Sequence, residues 1–234
     1  MNDYVVRVMT MNKEIRALAV NSTEVVEKAR ERHQTTPVAT AALGRALSGT
    51  LLLGSMLKSG DQVGLKIVGD GPLKKIVTEA DNQGRVRGYV GNSKLGIKSN
   101  QAGKLDVAWA IGNGQLQVKK WDQYQGVSEG SVPLVSGEIG EDLTYYFTQS
   151  EQTPSSVGLG VLVDTDLSVK AAGGFIIQLM PEASEETIDQ LEANLAGLDS
   201  VSRLIEQGLT PEELLEEVLA GFEFKVLAEQ EVEF

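Results

Sequence analysis

The sequence predicts an α+β protein: layered antiparallel β-sheets packed with a central small-residue-rich helix, followed by a helical linker segment. Strand-like runs such as "QVGLKIVG", "KKIVTEAD" and "GRVRGYVG" recur between the turn-formers "DGP" and "DNQG". One stretch, "ATAALGRALSGTLLLGSML" (39–57), is helical in pattern yet dense in Gly, Ala and Ser. Beyond Pro181 the texture changes to acidic, amphipathic helices.

The elements follow in chain order. Tyr4 to Met9 and Ile15 to Val20 alternate around "TMNKE" as a hairpin. Asn21 or Ser22 caps a helix with Glu24 in its first turn, running to about His33. Thr36 is the next N-cap, Pro37 the first helical residue, and Gly60 lies past the end. Each helical Gly costs about 1 kcal/mol against Ala, so Gly44, Gly49 and Gly54 imply close approach of other backbone. "GKLDVAWAIGNGQLQVKKW" and "VPLVSG" continue the strand series, and "GEDLTYYFTQSEQ" interrupts it with a helix. "SSVGLGVLV" and "SVKAAGGFIIQLMP" flank "DTDL" as a last hairpin.

Past Pro181, Ser184 caps a helix whose Ile188, Leu191, Leu195 and Leu198 share one face. Val201, Leu204 and Ile205 form a short second helix stopped by Gly208. "TPEELLEEVLAG" has Thr210 as N-cap, Pro211 at N1, Glu213 closing a capping box and Gly221 as terminator. Leu209, Leu214, Leu215, Val218 and Leu219 need a surface to cover. From Phe222 the even positions are apolar except for Gln230, and the odd ones, Leu227 apart, are charged, a half-buried strand. The expected division is therefore a β-rich core over 1–180, a linker over 181–221 and a strand over 222–234.

Composition narrows the function. The 234 residues carry a net charge of -12, but 15 acidic and two basic residues fall in 181–234, leaving the preceding part near neutral. That acidic segment repels phosphates, so nucleic acid is not an expected partner. No signal-like or membrane-spanning run is visible, and a soluble cytoplasmic protein is expected. Zero cysteines and the single His33 exclude thiolate, disulfide and His-rich metal chemistry within these residues. No cofactor is expected in this chain.

Motif by motif, an active site fails to assemble. "GVSEG" (126–130) matches the nucleophile elbow of serine hydrolases, which would make Ser128 catalytic. That motif needs a helix after it and a late histidine; here "SVPLVSG" follows and His33 precedes, so a loop or hairpin is expected. "SNQAGKL" has Lys98 where a phosphate loop needs its first Gly, and Leu105 in place of the Ser or Thr. "GDG", "GNG" and "GLG" read as turn glycines, and Asp164 and Asp166 as a solvated hairpin tip. Glu138, Glu141 and Asp142 at a helix start favour the dipole without chemistry. What remains is apolar surface under a removable polar cover, the means by which one protein holds apolar stretches of others.

Several blocks together resemble one family: "ALGRALSGTLLLGSMLKSGD", "GDGPLKKIVTEADNQGRVRGYV", "GEIGEDLTYYFTQSEQTPS" and "AAGGFIIQLMP". In order and spacing they look like the redox-regulated heat-shock chaperones of thirty-three kilodaltons, a bacterial holdase family. The resemblance implies a β-rich core, a helical linker and a C-terminal zinc domain whose four cysteines release the metal on oxidation. It further implies an activated dimer that holds unfolding clients without ATP and has no enzymatic activity. The zinc and redox switch carry over to no residue here, because these 234 contain no thiolate. Beside that family, the ending at Phe234 is expected of a chain cut before its zinc domain.

The expected function is a holdase core that binds partly unfolded client proteins, as a homodimer with linker exchange possible. Its apolar surface is expected to lie under Ile188, Leu191, Leu195, Leu198, Leu204, Leu214, Leu215 and Val218. A Ser128 hydrolase and an inactive covered dimer are the alternatives.

Overall fold

A computed structural model describes residues 3–122, 124 and 126–234. Its first sheet is built from β1 (Tyr4–Thr10), β2 (Ile15–Asn21), β8 (Ser155–Val163), β9 (Val169–Leu179) and β10 (Phe224–Glu231), ordered β10-β1-β2-β9-β8. The second contains β3 (Gln62–Gly69), β4 (Lys75–Asp81), β5 (Val86–Val90), β6 (Gly114–Asp122) and β7 (Gly126–Pro133), ordered β5-β4-β3-β6-β7. Every named strand pairing is antiparallel. The predicted α+β class with layered antiparallel sheets is the observed one.

Between the sheets runs α2 (Pro37–Gly54), with α1 (Thr23–His33), α3 (Val107–Ile111) and α4 (Gly140–Gln149) around it. Of its 18 residues all but Arg45 are buried, and Arg45 pairs with Glu138. The small residues have a steric reason. A Cβ on Gly44 would stand 2.6 Å from Val26 Cγ1 and 2.8 Å from Val161 Cγ2, and one on Gly54 2.8 Å from the Asp81 carbonyl. The buried hydroxyls are matched in pairs: Ser48 with Ser22 at 2.7 Å, and Thr50 with Thr78 at 2.6 Å. Those pairs fix the helix to both neighbours without leaving a polar atom orphaned.

Two local expectations are corrected. α2 stops at Gly54 rather than just before Gly60, because Ser55 and Met56 turn back onto the carbonyls of Leu51 and Leu53. "DVAWAI" is the short helix α3, not strand: Asp106 caps it by accepting the Trp109 amide, and Gly112 ends it at φ 73. The hairpin expected at "GVSEG" is observed: the motif lies in β7, paired antiparallel with β6, with Ser128 opposite Lys120.

The acidic segment forms α5 (Glu185–Gly197), α6 (Val201–Glu206) and α7 (Pro211–Val218). The capping box predicted for α7 is present: Thr210 Oγ1 accepts the Glu213 amide, and Glu213 accepts the Thr210 amide at 2.8 Å. The helix ends at Val218, three residues before Gly221, which takes up the positive φ of the turn that follows. β10 then joins β1 at the sheet edge. A bulge between Arg7 and Val8 passes over Leu227, the odd position that breaks the charged alternation, and Val226 is left exposed. Beyond β10, Glu233 pairs with Arg85 at the edge of the second sheet, and Phe234 packs edge-on against His33.

Capping of α1 comes from outside its neighbourhood. Neither Asn21 nor Ser22 reaches the third helical amide; Asp3 does, accepting Val25 N–H at 2.7 Å. The Asp3 main-chain carbonyl also receives the Val232 amide, so one residue ties α1, β1 and the tail together. Burial pushes its carboxyl up to about 6, against the pull of the Val25 and Glu24 amides. A folded value above the unfolded one means stability is full at low pH and is lost as pH rises through about 6. Urea titrations across about pH 4 to 7 should show the parent losing about 3 kcal/mol relative to Asp3→Asn; parallel pH curves would refute the assignment. Gly44→Ala should lower stability by about 1–3 kcal/mol through overpacking, despite the better helix propensity of Ala; an unchanged or higher urea midpoint would contradict the steric account.

Candidate functional site

Alternation along β1, β2 and β9 sends side chains to both faces of the first sheet, and both faces are apolar. One face, with Val5, Leu18, Val20 and Ile176, joins the main core around α2. The other carries Val6, Val8, Ile15, Ala17, Ala19, Ala171, Phe175 and Ile177, none more than 3% exposed. Over this second face lie α6 and α7, with α5 resting mainly on α7. The two apolar clusters are separate, and the main core contains no residue of 181–221.

The predicted cover positions divide in this setting. Leu191, Leu204, Leu214, Leu215 and Val218 are buried in the second cluster, with Leu215 and Val218 fully so. Leu195 and Leu198 are half-buried at its rim. Ile188 is half-buried outside it, since α5 makes its main contact with α7 rather than with the sheet. Leu219, which needed a surface in the sequence, belongs to the cluster, and so do Val201 and Ile205, which are not among the predicted cover positions. Their signal was available: Val201 and Ile205, like Leu215 and Leu219, stand four residues apart on one helix face.

Two glycines admit α6 to the sheet. A Cβ on Gly160 of β8 would come within 2.4 Å of the Ser202 amide nitrogen, and one on Gly173 of β9 within 2.5 Å of Ile205 Cδ1. Polar ties sit only at the periphery. The Tyr4 hydroxyl donates to Glu212 at 2.7 Å, and burial together with that carboxylate raises the phenol. Glu14 accepts from Ser184 at 3.0 Å and from Thr187, which hold its carboxyl below the usual range. Asn194 and Gln190 of α5 donate to the Ala220 carbonyl past the end of α7. Lys170 pairs with Glu206 at 2.7 Å, an exposed contact of the kind that adds little. Apolar burial, which is non-directional, is therefore what seats these helices.

The candidate chemistry resolves into structure. Asp142 is fully buried, and its carboxylate receives the amides of Val135, Ser136, Gly137 and Ile139, shaping the loop into α4. Glu138 serves Arg45. Ser128 is exposed in mid-strand with β7 continuing to Pro133, so no strained elbow forms, and the His33 ring faces Phe234. Asn100 accepts the amides of Ala102 and Lys104, making "SNQAGKL" an Asx turn. Asp166 accepts from Ser168 at the β8–β9 tip. The zinc implied by the resemblance does not fit these residues: no cysteine is present, and the described residues gather no group of three or more His, Asp or Glu suited to a metal. No described helix is long and apolar enough to cross a membrane.

Comparison with known proteins accounts for the same arrangement. The model of the Hsp33 protein family matches residues 3–234. The chain is 49% identical over 235 residues to the 33 kDa chaperonin of Geobacillus sp. (strain WCH70), covering 100% of this chain and 80% of that one. The 33 kDa chaperonin of Staphylococcus haemolyticus is 48% identical over 234 residues, with the same coverage. The crystal structure of the 33 kDa chaperonin (heat shock protein 33 homolog) of Thermotoga maritima superimposes with a TM-score of 0.94 at 38% identity, covering 100% of this chain and 80% of that one. With two five-stranded antiparallel sheets, a covered apolar face and, among the described residues, no assembled active site, the chain belongs to the Hsp33 family, a family of chaperones and not of enzymes.

Proposed function

We propose that this chain is an ATP-independent holdase that keeps partly unfolded proteins from aggregating, working in the bacterial cytoplasm. Clients bind through apolar surface of the first sheet that α5–α7 cover in the resting state. One observation carries this reading: the covered face forms an apolar cluster of its own, so the cover can leave without opening the main core. Eight sheet side chains on that face would then meet solvent together, an apolar patch of the kind that binds other chains. The outward acidic charge of 181–234 keeps the open molecule soluble.

Release of the cover in these residues is set by its own stability. Thiolates hold zinc and sense oxidants in the mechanism the resemblance implies, and these 234 residues have none, so client holding here is independent of peroxide. The 181–221 segment acts as the detachable linker and 1–180 as the binding core. A segment seated by apolar burial between two chain connections can equally seat on a second copy, which makes a homodimer with exchanged α5–α7 the natural assembly.

Loosening the cover without altering its residues tests this. Gly160→Val should unseat α6 while the main core stays folded, raising apolar-dye fluorescence and suppression of aggregation of a thermally unfolding client. A variant that binds more dye yet suppresses no better would sink the client-binding role of this face. No suppression by the parent or the variant, with or without peroxide, would leave an inactive covered assembly. Leu215→Ala should destabilise the α5–α7 layer by about 2–5 kcal/mol, seen as faster amide exchange in 185–219 with little change in α2. Ser128→Ala should alter neither client holding nor ester hydrolysis, and loss of an esterase activity would revive the hydrolase reading.

A further inference from the structure

The outer edge of β1 is held by β10 in an unusual way. β1 is buried on both faces: Val5, Val6 and Val8 are no more than 1% exposed. β10 contributes a main-chain ladder running from the pair Tyr4–Glu231 to the pair Thr10–Phe224. It is extended at both ends by Val232 N–H to Asp3 carbonyl at 3.1 Å and Met11 N–H to Glu223 carbonyl at 2.8 Å. Apart from Phe224, which packs against the second cluster, its side chains add little burial: Val226 is 46% and Leu227 52% exposed, and Lys225, Glu229 and Glu231 point to solvent. The edge strand is thus bound chiefly through its backbone.

With β10 gone, β1 would present "YVVRVMT", seven residues without proline and with one charge, Arg7. Natural edges are normally blunted by charge, proline or shortness. β7 carries Glu129 and Pro133, and β5 is only five residues long and carries Arg87. β1 is neither short nor proline-bearing, and its one charge, Arg7, is half-buried and donates to the Ser55 carbonyl, so the strand seated on it is its main defence. Main-chain pairing gives affinity with little regard to side chains, which suits a binder whose ligands share only an unfolded backbone.

We infer that β10 is an intramolecular stand-in for client, and that the β1 edge binds an extended segment of unfolded polypeptide by antiparallel strand addition when β10 lifts away. This deepens the holdase reading and rests on it. The client's backbone takes the place of 224–231, and its apolar side chains fall beside the face that α7 vacates, because Tyr4, Val6 and Val8 of β1 belong to that cluster.

The absence of cysteine makes a clean test. Met9 and Lys225 are register partners, within the Cα separation a disulfide spans. The double variant Met9→Cys with Lys225→Cys, made in the Gly160→Val background so that the α6 cover is loosened, is assayed oxidised and reduced. Binding of reduced, carboxymethylated α-lactalbumin should fall about tenfold or more on oxidation and return with dithiothreitol. In the reduced protein, a peptide of sequence 222–234 should compete, and the same peptide N-methylated on alternate residues along the edge facing β1 should not. Equal binding by oxidised and reduced forms overturns the inference while leaving the holdase reading intact. Competition by both peptides overturns it as well, by showing side-chain recognition. Loss on N-methylation without any effect of the tether places strand addition at another edge, such as β8, and overturns it too. No lactalbumin binding by the reduced form refutes the holdase reading itself.

Discussion

Strands β1, β2 and β9 bury side chains on both faces, so the first sheet requires two covers. A sheet with one solvated face alternates apolar and polar residues, whereas "AAGGFIIQL" in β9 is apolar almost throughout. The two covers differ in kind. α2 is locked between the sheets by steric interdigitation at its glycines and by paired hydroxyls, and nothing in it can leave without unfolding the protein. α5–α7 rest on the opposite face through leucine and valine side chains, with polar ties only at the rim.

That difference joins stability to function. A chaperone needs apolar surface that is hidden at rest and available on demand, and separate clusters allow one without loss of the other. Gly160 and Gly173 show the requirement from the sheet's side: the strands are stripped of side chains where α6 must approach. β10 extends the pattern to the sheet edge, where a backbone ladder takes the role that apolar side chains play on the face.

Local signals in the sequence were read well where they are complete within a few residues. The Thr210–Glu213 box, the "TMNKE" hairpin and the Ser184 cap of α5 need no distant partner. Short apolar runs were misread for a physical reason: "DVAWAI" is too brief for periodicity to separate a helix from a strand, and Asp106 decided it. "GVSEG" lacks the helix a nucleophile elbow needs, and it pairs with β6 as one strand of a hairpin. The cover was legible as an amphipathic face needing a surface. That α5 would rest on α7, leaving Ile188 outside the cluster, was not, because a helical face does not name what it meets.

The sequence by itself determined the α+β class, the helical character of the acidic segment beyond Pro181 and its amphipathic faces, since each follows from periodicity, charge or residue inventory. Only the tertiary structure decided which face of which sheet the cover occupies, that its cluster is separate from the main core, that Asp3 caps α1, and that β10 docks on β1. These are meetings between residues far apart in the chain, fixed by steric fit and by the demand that buried backbone groups be paired, and no local pattern encodes the partner.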